Sequence, residues 1–108
     1  MTTPFVTQLR SRPSTIHLTA DRADAITIRV EMPEVWDVVA IVVAPTESVV
    51  RVKQRALEAL FPEAQIHADF VVKLRGWEIL DENASLADAG AIDGSILLLT
   101  YRRRRAVR

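Results

Sequence analysis

The chain has no cysteine among its 108 residues. That single absence removes disulfides, thiolate metal sites and cysteine nucleophiles, and it fits a reducing cytoplasm. Long apolar runs are also missing. The longest, residues 38–44, falls far short of the roughly 20 residues needed to cross a bilayer. The opening "MTTPFVTQLRSRP" has neither an apolar core nor a small-residue cleavage site, so it does not read as a secretory signal, and the expected location is cytoplasmic. Glycine is scarce: Gly76, Gly90 and Gly94 stand alone, which leaves no phosphate-cradling loop. The two histidines, His17 and His67, have no ligand partner at metal-binding spacing and read as surface residues. The serines lack a nucleophile signature. Asp81-Glu82 reads as a solvated pair in a loop, not as an acid/base couple. No catalytic constellation, metal, cofactor or small-molecule substrate is expected.

What is present is an ordinary globular composition, 49% hydrophobic and 26% charged. The length suits one domain with one modest core. The formal net charge is zero but unevenly spread. Five of the 14 basic side chains lie in the last seven positions, which leaves residues 1–101 with nine basic against 14 acidic groups. An acidic body carries a basic tail.

Periodicity divides the chain. Residues 1–24 show no sustained period and read as a flexible N-terminal arm, although "TIHLT" (Thr15 to Thr19) alternates briefly, as a segment pairing with a sheet edge does. "ITIRVEM" places Ile26, Ile28, Val30 and Met32 on one face and Thr27, Arg29 and Glu31 on the other, a half-buried strand. "PEVWD" bends the chain, and "VVAIVVA" is a β-branched second strand that should pair antiparallel with the first. Thr46 and Ser48 are N-cap candidates for a helix over roughly 48–61. Val49, Val52, Ala56 and Leu60 form its apolar stripe, with Arg51, Lys53, Arg55 and Glu58 outside. Phe61-Pro62 ends it. "DFVVKL" is a third strand, "RGW" a turn and "EIL" a short strand. "DENASLADAG" is a loop with one helical turn closed by Gly90, and "SILLLTYR" is the last strand.

"IVVAPTESVVRVKQRAL" and "SLADAGAIDGSILLL" are the residues that decide the fold class. The first resembles the second strand and helix of ubiquitin-like domains, and the second resembles their closing segment. The chain therefore resembles the ubiquitin-like β-grasp superfamily: an α+β fold with a mixed sheet of four to five strands packed on one helix. The ungapped "LADAGAIDGSILLL" is most similar to the bacterial YukD-like group associated with type VII secretion. The resemblance covers about 25–102, which implies a domain over those residues, an arm at 1–24 and a basic C-terminal tail at 103–108. It sets Val49, Val52 and Ala56 against Ile28, Val30, Val72, Leu74, Leu97 and Leu99, with Leu86 plugging the open end of the core.

The same resemblance frames function. Conjugated relatives and sulfur carriers end in Gly-Gly because an activating enzyme threads a side-chain-free tail through a narrow channel. Here the matching positions fall near Arg105 and Ala106. The leading expectation is accordingly a non-catalytic bacterial protein-interaction module, an adaptor or accessory of a secretion or other multiprotein system. The alternative is a modifier of a bacterial conjugation pathway with an atypical C-terminus. The positions matching ubiquitin's apolar recognition patch are Lys73, Leu98 and Thr100, and a lysine there opposes apolar docking. Trp36 and Trp77 lie in turns, and two readings stay open: a ring folded back over the core edge, or a partner contact. Arg102, Arg103, Arg104 and Arg105 read by default as a solvated, self-repelling tail, with a contact for an acidic protein partner as the next reading. Five arginines without interleaved aromatics, on an acidic body, argue against nucleic acid or anionic membrane. An exposed sheet edge or the arm also offers homo-oligomerisation by strand addition.

Overall fold

The computed structural model describes residues 15–19 and 23–102. Among them lie six strands and two helices in the order β1 (Thr15–His17), β2 (Ile26–Met32), β3 (Asp37–Val43), α1 (Val49–Leu60), β4 (Phe70–Leu74), β5 (Trp77–Glu78), α2 (Leu86–Ala89) and β6 (Ile96–Tyr101). Short 3₁₀ turns precede β3 and β4 at Pro33–Val35 and His67–Asp69. All six strands join one mixed sheet, ordered β1-β3-β2-β6-β4-β5. β2 and β3 pair antiparallel over seven residues, as the short bend between them requires. β2 and β6 run parallel at the centre, and β6 pairs antiparallel with β4.

Strand alternation decides which face is covered. Ile28, Val30 and Met32 of β2, Val39, Ile41 and Val43 of β3, Phe70, Val72 and Leu74 of β4, and Leu97 and Leu99 of β6 all point into one core. α1 closes that core with Val49, Val52, Ala56, Leu57 and Leu60. Leu86, fully buried on α2, plugs the open end as expected. Each such side chain contributes about 1.5–3 kcal/mol on burial, so this α+β layer is the dominant source of stability.

Local signals place the helix ends. The Ser48 hydroxyl accepts from the Arg51 amide at 3.3 Å, so Ser48, not Thr46, is the N-cap. Phe61, the residue before Pro62, is the C-cap. α2 repeats the device with Ser85 and ends on Gly90 at φ 98°, a left-handed position that glycine adopts without penalty.

Three details depart from expectation. The sheet gains a sixth strand: β1 lies parallel along β3, with Ile16 opposite Ile41 and buried in the core. The alternation of Thr15 to Thr19 is its cause. The turn after β4 is Arg75-Gly76 alone, both at positive φ, and Trp77 already belongs to β5. Two left-handed residues are what a tight two-residue hairpin needs to match strand twist. Lys53, expected outside, is only 4% exposed, and it is the one buried charged residue among those described. It follows Val52 on the flank of α1, where its stem lies under the 81–85 loop and its ammonium meets Glu82 at 2.9 Å. Glu82 is therefore not a freely solvated loop carboxylate.

Candidate interaction surface

The sheet face turned away from α1 carries the alternate residues of each strand, and strand register sets their neighbours. Lys73 of β4 stands opposite Leu98 of β6 and, on its other side, opposite Glu78 of β5. Leu98 in turn faces Glu31 of β2, and Thr100 faces Val71. Lys73, Leu98 and Thr100 thus share the outward face and are half-buried. Two residues that sequence reasoning passed over join them. Ile96 precedes Leu98 by two on the same strand and is 50% exposed, and Val38 lies two strands away at 43%. Strand parity would have found Ile96, since it shares the side of Leu98. The result is an apolar band, Val38, Ile96 and Leu98, crossed by the alternating charges Arg29, Glu31, Lys73 and Glu78.

The two tryptophans stand at opposite corners of the sheet, and Trp77, paired with the core residue Leu74, lies on its α1 side. Trp36 closes the 3₁₀ turn between β2 and β3, with its amide donating to the Pro33 carbonyl at 3.1 Å and φ at 55°. It is 94% exposed. Glu34 ties that turn to the end of β6: one carboxylate oxygen accepts from the Thr100 hydroxyl and from the Tyr101 amide. Burial alone pushes the Glu34 carboxyl up. The hydrogen bonds from Thr100, Tyr101 and its own backbone together outweigh that effect and hold it below the usual glutamate range. Tyr101 stacks on Phe70 with centroids 4.5 Å apart, which fixes the same corner from the core side.

Trp77 lies at the other corner, across from Leu74, and is 80% exposed. Neither tryptophan folds back over the core. In Trp36 the left-handed backbone turns the side chain outward, and β5 carries Trp77 beyond the reach of α1. Trp77 instead walls a shallow pocket of about 480 Å³ with Leu74, Ile79 and Ala84 as apolar lining and Asp81 and Asp88 among its charged lining.

Arg102 continues the β6 ladder by donating its amide to the Asp69 carbonyl at 2.6 Å. Its guanidinium meets Glu78 at 3.4 Å, an exposed pair of little energetic weight. Arg103, Arg104 and Arg105 lie outside the described residues. His17 is exposed on β1 and His67 half-buried in its 3₁₀ turn. Among the described residues no three His, Asp or Glu side chains gather as a metal site, and no helix is long and apolar enough to cross a membrane.

No family model and no curated protein matches the chain. Solved structures do. The ubiquitin-like domain of an Arabidopsis thaliana protein superposes with a TM-score of 0.62 at 19% identity, covering 85% of this chain and 94% of that one. The ubiquitin of Caldiarchaeum subterraneum superposes with a TM-score of 0.61 at 16% identity, over 76% of this chain and 99% of its own. A designed protein based on ubiquitin reaches 0.62 at 15% identity, over 80% and 99%. At these identities the shared property is architecture, and the chain has the ubiquitin-like β-grasp fold.

Proposed function

We propose that the chain is a non-catalytic bacterial ubiquitin-like module that works by binding other proteins, as a cytoplasmic adaptor in a secretion or other multiprotein system of the YukD-like kind. The observation that carries this reading is the pair of near-fully exposed tryptophans, Trp36 and Trp77, at opposite corners of a sheet whose outward face has its own apolar band. Large aromatics left in water on a rigid backbone present a large apolar area for a partner to desolvate. Trp77 is the stronger anchor, because the pocket beside it lets a partner side chain fill space against the indole. Lys73 and its ring of mixed charges favour a partner with complementary charges over a purely apolar one.

Affinity capture from the native host, with the full chain and its Trp77→Ala variant side by side, tests the proposal. The full chain recovers a stable partner. The variant unfolds at the same urea concentration but binds that partner at least roughly 30-fold more weakly, the effect of losing a hot-spot aromatic. Recovery of no partner by the folded chain, or equal recovery by both, overturns it.

A further inference from the structure

β1 is the strand that a five-stranded ubiquitin-like sheet does not need, and what it covers explains its presence. β3 reads Asp-Val-Val-Ala-Ile-Val-Val, uncharged and almost wholly β-branched after its first residue. A strand of that kind with an open edge pairs with other chains. β2 occupies one edge over all seven residues, whereas β1 pairs on the other edge with Ala40, Ile41 and Val42 alone. The paired length is short: Ile16 is the one buried side chain of β1, and Leu18 adds a half-buried contact and an amide bond to the Val42 carbonyl at 2.8 Å.

The tether is long for its task. β1 ends beside Val42 and β2 begins beside Val43, so the two strand ends are one step across β3 apart; residues 20–22 between them lie outside the described residues. That step is about 10 Å, two strand spacings. The eight residues between His17 and Ile26 extend to roughly 26 Å. β1 can therefore leave its edge without pulling on β2, and the same length of chain carries it to the edge of a neighbouring molecule.

We propose that β1 is an exchangeable donor strand and that its second acceptor is the β3 edge of another copy of this chain. In the exchanged dimer Ile16 of each protomer enters its partner's core beside Ile41, while Thr15 and His17 stay on the outward face. The occupant is a second copy because donor and acceptor reside in one chain. Every contact of the exchanged strand already exists within the monomer, so no new complementarity is required. The exchange does not depend on the binding role of the tryptophans, and its test leaves Trp36 and Trp77 untouched.

The absence of cysteine makes the test direct. Thr15 and Ala40 are paired neighbours on the outward face. Full-length Thr15→Cys and Ala40→Cys chains are mixed, refolded together from urea over a range of concentrations and treated with a short thiol–thiol cross-linker. A chain carrying both substitutions reports the intramolecular contact. The double variant links within one chain when dilute. The mixture yields a covalent Thr15→Cys/Ala40→Cys pair whose fraction rises roughly tenfold with a tenfold rise in concentration while monomer dominates. Adding Ile16→Asp to the Thr15→Cys chain abolishes that pair. A mixture that gives no such pair, a mixture in which Thr15→Cys chains link only to each other, or a double variant that never links internally overturns the proposal.

Discussion

One charged side chain sits where the fold has the least tolerance for it. Lys53 is buried on α1, and its ammonium donates to both oxygens of Glu82 at 2.9 and 3.1 Å. The backbone reinforces the same junction. The Val49 and Val50 amides, which no helix can satisfy internally at its first turn, donate to the Ala84 and Glu82 carbonyls at 3.0 and 2.7 Å. Glu82→Ala strands the ammonium under the loop and costs about 2 kcal/mol in urea denaturation, whereas Lys53→Met with Glu82→Leu returns to within about 1 kcal/mol of the parent. A single variant as stable as the parent would show that water reaches Lys53 freely. Glu34 gives a pH signature instead. Its carboxyl is held below the ordinary value of 4.5, so its contribution is fully present above that value and lost as pH falls through the lower, folded one. Glu34→Gln keeps the shape and removes the charge. The stability gap between parent and variant therefore stays constant from neutral pH down to about 4.5 and closes below it, read from urea titrations at several pH values. A gap that does not change with pH would refute the carboxylate's role.

Elements were legible wherever one physical signal dominated. The period-two pattern of β2 and the Val49, Val52, Ala56 and Leu60 stripe of α1 each name a buried face without reference to anything else. Pro62 and Gly90 end their elements by local stereochemistry alone, whereas Thr46 and Ser48 compete as N-caps until the Ser48 hydroxyl is seen to accept from the Arg51 amide. Legibility failed where a residue's place depends on a distant segment. Nothing within α1 says that the 81–85 loop will lie over Lys53, 29 positions from its partner. β1 is three residues long, so its alternation is too short to prove a strand until β3 supplies the edge. The site was legible in one respect, the outward parity of Lys73, Leu98 and Thr100. It was opaque in another, because a tryptophan's exposure is set by what fails to cover it: only coordinates show that α1 stops short of β5 and that Trp36 turns outward on a left-handed backbone.

At the scale of the whole molecule, the aromatic side chains are divided between core and periphery. α1 and α2 seal one side of the sheet over aliphatic side chains, with Phe70 as the one fully buried aromatic ring among the described residues. Both indoles remain on the periphery. The core is thus optically silent in tryptophan fluorescence, and the surface is the reporter. The folded chain should emit at nearly the same wavelength as the urea-unfolded chain, and acrylamide should quench the two states almost equally, because an indole at 94% or 80% exposure gains little water on unfolding. Circular dichroism over the same titration should show a full cooperative transition. A partner that buries Trp77 then shifts the emission to the blue, and Trp77→Phe removes most of that shift while Trp36→Phe leaves it. A blue-shifted, quencher-protected emission in the isolated chain would mean that one indole is covered by the chain itself, and the surface proposed for partners would lose that anchor.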